Sequence, residues 1–251
     1  MAGYLRLRQI CLVAPSLGPA EADITALLGV PVCYRDPNVA AYGLENALWP
    51  LGPDILEVVA PTREGTAAGR FIERSGGRGG YMAIFDCEDS AALQTHAESM
   101  GVRTANLIQH HGYRGVQLHP KDCRAAMLEF STTEGGEALD GPYHPAGPDW
   151  TRIVRANGLP RLVAAQVTAP NPAALAAHWA RIMCAPVADG PSIIPDHGRV
   201  DFLRGGEERL DGIVLGVADV AATRAVAEAR RLLRDGAIEV SGLRVELRRA
   251  A

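Results

Sequence analysis

Two glutamates close strand-like runs at corresponding places in the chain, Glu57 in DILEVVAP and Glu129 in MLEF. If both face one pocket, mutual repulsion and partial burial raise at least one carboxyl pKa, which suits a group that takes up and returns a proton. Tyr81, in GGYMAIF, is a phenol that could act with them. His110 and His111, in QHHGYRG, are adjacent, so in a strand they point to opposite faces and one at most reaches a given pocket. There it would serve as acid or base; the other reading is a polar strand rim. Arg114 offers a fork for a carboxylate or phosphate, and reads equally well as a solvated arginine. Trp49 precedes the Glu57 strand as a pocket wall or a packing residue. GGRGG (76–80) lacks the lysine of a phosphate loop and leads into a strand, so it reads as a turn.

Positioning these groups requires strands in a fixed order, and the order repeats. A strand over 5–14, a helix over Pro19–Leu28 stopped by Gly29, and strands near 31–35, 40–48 and 54–60 form the first unit. The second has strand 81–87, helix 89–100 stopped by Gly101, and strands near 103–109, 114–119 and 125–131. The third has strand 161–169, helix Pro172–Met183 and strands near 193–195 and 199–204; the fourth has strand 211–217, helix 220–234 and strands near 237–240 and 243–248. Each is a βαβββ module. A sheet with one helix cannot cover both its faces, so modules should pair and curve around a common interior. The expected class is α+β, with four modules paired into curved mixed sheets. Residues 1–134 form one domain, 135–158 a Gly- and Pro-rich linker, and 159–251 a second, degenerate copy. Glu246 repeats the glutamate position in the fourth module, but the first strands of the third and fourth modules offer Leu162 and Gly212, which can neither bind a metal nor move a proton. The C-terminal pair therefore reads as a structural or dimer-forming copy.

Composition narrows the function classes. A chain of 251 residues, 47% hydrophobic, can bury one large core or two modest ones. Net charge −4 gives no basic stripe, which argues against nucleic acid as a partner. No run approaches the ~18 apolar residues of a membrane span, and five scattered cysteines argue against a disulfide framework. A cytoplasmic setting, a small-molecule partner and a homodimer are expected.

DILEVVAP, FIERSGGRGGYMAIF and VQLHPKDCRAAMLEF together resemble the vicinal-oxygen-chelate superfamily of glyoxalase-like, bleomycin-resistance and dioxygenase-like proteins, most closely its methylmalonyl-CoA epimerases. The likeness covers about the first 135 residues. It implies four metal-ligand positions on the first and last strands of two paired modules, falling here on Gln9, Glu57, Tyr81 and Glu129. Relatives usually carry His at the first-strand positions. Gln is a weak oxygen donor and a phenol must lose a proton to bind well, so no cofactor is expected, and any divalent ion would be held weakly. The resemblance also assigns HPKD (119–122) to a turn. The implied activity is a lyase or isomerase that works by carboxylate acid/base chemistry on a small oxygenated molecule, possibly an acyl thioester. Gln9, His110, His111, Arg114 and Trp49 would contact it. A sequestering protein needs only shape and apolar area, and an extradiol dioxygenase is a third, poorer match because its iron needs two histidines and a carboxylate.

Overall fold

The structure is a computed structural model that describes residues 3–157 and 160–250. The expected domain boundary after 158 lies outside the described residues. The first module runs β1 (Leu5–Val13), α1 (Leu17–Leu28), a 3₁₀ turn (Pro37–Tyr42), β2 (Leu44–Leu51) and β3 (Asp54–Pro61), followed by α2 (Ala67–Ser75). The second runs β4 (Met82–Cys87), α3 (Ser90–Ser99), β5 (Thr104–His110), β6 (Tyr113–Leu118), α4 (Pro120–Cys123) and β7 (Met127–Thr133). After α5 (Trp150–Asn157) come β8 (Arg161–Ala169), α6 (Pro172–Met183), β9 (Val187–Ala188), β10 (Ser192–Ile193) and β11 (Val200–Arg204). The last module has β12 (Arg209–Val217), α7 (Val220–Ala229), β13 (Leu233–Arg234), β14 (Ala237–Val240) and β15 (Leu243–Arg249).

These strands make two mixed sheets, ordered β2-β3-β1-β4-β7-β6-β5 and β13-β14-β15-β12-β8-β11-β10-β9. The α+β class and the paired βαβββ modules stand. Within a module the first and last strands run parallel, as in β4 with β7, β8 with β11 and β12 with β15. A crossover through the helix permits this, whereas the strands between are joined antiparallel by short turns. Three module helices start on a side chain that accepts from the free first-turn amides: Asp89 for α3, Asn171 for α6 and Asp219 for α7.

Four expectations need correction. The run at 31–35 is no strand, and Tyr34 makes only an isolated bridge to Leu48. The fourth-module helix stops at Ala229, because Arg231 takes a φ of 57° and Leu233–Arg234 turn into a strand. The segment 135–158 is not wholly linker, since Trp150–Asn157 is helical. HPKD is more than a turn: His119 caps a short helix, its side chain accepting from the Lys121 amide.

The chain divides into two units. One comprises Met1–Gln9, Met82–His144 and Ala164–Leu210; the other comprises Ile10–Tyr81, Pro145–Val163 and Asp211–Ala251. The first is cored by Phe85 and Phe130, with ring centroids 6.3 Å apart, and by Trp179 edge-on to Phe202 at 5.4 Å. In the second, Ile10, Leu12, Ile24, Trp49, Ile55, Ile213 and Val245 are buried.

Candidate functional site

In the first unit, strand register brings the polar groups together. Gln117 on β6 lies opposite Glu129 on β7, and Ile84 on β4 is the parallel partner on its other side. Glu129 is thus in a central strand and is 3% exposed. A carboxylate so placed needs donors. The Tyr113 hydroxyl donates to Glu129 Oε1 at 2.8 Å, and Gln117 Nε2 donates to Oε2 at 2.9 Å. Burial, and then the neighbouring Glu129 charge, push the Tyr113 phenol well above its usual value of 10.0, so it stays a donor. The ring of Tyr113 stacks on His144 at 4.7 Å, and His144 stacks on His110 at 5.7 Å.

Gln9, 2% exposed, accepts from the hydroxyl of Tyr143 at 3.1 Å. The Arg8 guanidinium lies over the Tyr143 ring, 4.6 Å from its centroid. Beside these residues Arg6, Arg8 and Asp86 are buried together, with Arg8 Nη1 3.5 Å and Arg6 Nε 3.7 Å from Asp86 Oδ2. Neither Asp86 oxygen accepts a hydrogen bond, and burial raises that carboxyl to about 6 despite both cations.

The second unit holds Glu57, 7% exposed and opposite Leu48 on β2, accepting from Asn46 Nδ2 at 2.7 Å. Tyr81 precedes the start of β4, its ring 5.1 Å from Phe71 and its hydroxyl pushed up to about 12 by burial. Trp49 is fully buried and donates its indole N–H to Thr25 Oγ1 at 2.9 Å, so it packs β2 onto α1.

The remaining expected contacts lie at a rim of the first unit. His110 and His111 are both exposed. Arg114, half-buried, donates to Gln94 and lines a shallow depression of about 300 Å³ with Asp89, Ser90, Thr132 and Glu134.

Residues 10–183 match the family model described as a glyoxalase-like domain, which is more than half of the chain. The chain belongs to this family. It is thereby a member of the vicinal-oxygen-chelate superfamily. An ethylmalonyl-CoA/methylmalonyl-CoA epimerase of Cereibacter sphaeroides is 25% identical over 129 residues, 50% of this chain and 96% of that protein. A hypothetical protein from Staphylococcus aureus superposes over 98% of this chain and 99% of its own, with a TM-score of 0.66 at 11% identity. A methylmalonyl-CoA epimerase in complex with methylmalonyl-CoA and NH4+ aligns over 54% of this chain and 99% of its own, at a TM-score of 0.47 and 24% identity.

The metal that the superfamily resemblance implies does not fit the donors of this glyoxalase-like chain. In one unit Glu129 already holds two protein donors and the Gln9 amide oxygen holds a third. In the other, Tyr81 keeps its proton up to about pH 12 and is a poor ligand below it. Among the described residues no group of three or more His, Cys, Asp or Glu is arranged to hold an ion. Nor is any described helix long and apolar enough to cross a membrane.

Sequence reading missed Tyr113 as Glu129's donor, along with Gln117, Tyr143, His144 and the Arg6–Arg8–Asp86 cluster. One signal was available. Tyr113, Gly115 and Gln117 alternate along β6 and so share a face.

Proposed function

We propose that this glyoxalase-like protein is an epimerase-like isomerase that moves a proton beside the carbonyl of an acyl thioester, with Glu129 as the base. The observation that carries the reading is a buried carboxylate in a central strand, held at both oxygens by the neutral donors Tyr113 and Gln117. Such a group is fixed in direction and accepts a proton without first breaking an ion pair to either donor. In the step, the C–H bond next to the carbonyl breaks, its proton joins a Glu129 oxygen, and the electron pair moves onto the carbonyl oxygen as an enolate. Return of a proton to carbon completes the isomerisation. Where a leaving group stands β to the carbonyl, expelling it from the same carbanion would make the reaction a lyase step. The relative from Cereibacter sphaeroides, described as an epimerase of ethylmalonyl- and methylmalonyl-CoA, supports the choice of thioester.

The test is exchange of the α-proton of methylmalonyl-CoA and ethylmalonyl-CoA in D2O, followed by proton NMR with Glu129→Gln as control. Deuterium incorporation that needs Glu129 is the expected result. Tight thioester binding without exchange, with and without added divalent metal, would select a sequestering protein instead. The poor metal donors at Gln9 and Tyr81 favour that second reading, since binding requires no Lewis acid.

A further inference from the structure

We infer that Tyr113 is a second catalytic group, the donor that holds the negative oxygen created when Glu129 removes a proton. The inference rests on the proton-transfer reading above. Its geometry starts on β6, where Tyr113, Gly115 and Gln117 lie on one face and Gly115 pairs with Ser131, two residues past Glu129. To reach Glu129 the Tyr113 ring must lie along its own strand, over the residue two positions on. That residue is glycine. A Cβ there would fall 2.9 Å from both the Tyr113 hydroxyl and Glu129 Oε1. Gly115 is not needed for a left-handed backbone, since its φ lies outside that range, so what its lack of a side chain supplies is room for the phenol.

The ring is also fixed from its face, stacked on His144 with 18° between the planes. A phenol has one O–H to give, and Glu129 Oε1 now receives it. When Glu129 takes the substrate proton it loses its negative charge and becomes the weaker acceptor, so the Tyr113 O–H turns to the stronger one, the enolate oxygen. Atoms balance without Tyr113 losing its proton: the C–H bond breaks, the Glu129 O–H bond forms, the pair resides on oxygen, and the phenol moves one hydrogen bond. A preset donor in a buried site is worth far more than the same donor in water.

Two measurements test this on the whole chain. The first is α-proton exchange with Tyr113→Phe and Gly115→Ala. Each should lower the exchange rate by ~10²-fold with KM within ~3-fold, the signature of a contact made only in the transition state. The second uses nitroethane and its preformed nitronate, a planar oxyanion, as calorimetric probes. Wild type should bind the nitronate at least ~10-fold tighter than nitroethane, and both variants should lose that ratio. Gly115→Ala keeps every polar group, so it reads the Tyr113 placement even if Tyr113→Phe folds poorly. Exchange retained within ~3-fold in Tyr113→Phe overturns the donor assignment and leaves the isomerase reading standing. A Tyr113-dependent nitronate preference without any thioester exchange does the reverse. Loss of neither ratio nor rate in Gly115→Ala also overturns the assignment.

Discussion

β7 and β15 close equivalent modules, and each carries a glutamate three residues into the strand or one beyond, yet the two glutamates have opposite fates. Along β7, six of the seven residues MLEFSTT are buried, and Glu129 meets a tyrosine hydroxyl and a glutamine amide. Along β15, the residues LRVELRR alternate and then become exposed, and Glu246 faces Arg248 at 2.8 Å with its side chain 44% exposed. β7 lies between β4 and β6 in its sheet, and β15 between β12 and β14. Pairing on both edges is therefore common to both. What differs is cover on the second face: an exposed ion pair in water contributes little, whereas a buried carboxylate must be met by designed donors. A repeated position marks where a site can stand, and burial decides whether it does.

The largest effect should come from exchanging the two glutamates' fates. Glu129→Gln is expected to cut α-proton exchange by ~10³-fold or more, while Glu246→Gln changes it less than ~2-fold. Equal losses would break the comparison. Next is Asp86 on β4, the parallel neighbour of β7. Its carboxyl is raised from 3.8 to about 6 by burial, so the folded chain holds that proton more tightly than the unfolded one. The stabilisation is full below about pH 4 and is lost as pH rises through about 6, on the order of 3 kcal/mol in all. Urea midpoints at pH 4 and 7 should show this slope, and Asp86→Asn should flatten it. Asn46→Ala should cost ~1–2 kcal/mol, because it withdraws a donor from buried Glu57; denaturant unfolding measures it, and a neutral result would place Glu57 with Glu246 instead of Glu129. The smallest effect is expected at Arg248→Ala, with no measurable change in midpoint, as befits an exposed pair.

Much of the architecture was legible because it is periodic. The strand over 5–14 and the helix over Pro172–Met183 were readable from spacing, and stop residues such as Gly29 and Gly101 marked the ends. α2 was not, since only Ala68 of its nine residues is buried and its apolar pattern is too thin to read; its Thr66 cap was the available sign. The fourth-module helix was drawn too long because leucines at 232 and 233 continue its spacing past a backbone turn that the spacing does not encode.

By itself the sequence determined the modules, their order, and the identity of the side chains at the matched positions: glutamate at 57 and 129, and no histidine at 9 or 81. Only the tertiary structure decided what those side chains meet. Tyr143 reaches Gln9 across 134 positions, and Tyr113 reaches Glu129 because Gly115 leaves space along β6. The physical reason is that helices and strands are written in local spacing, whereas a hydrogen-bond partner across strands is fixed by register and packing, which distance along the chain does not record.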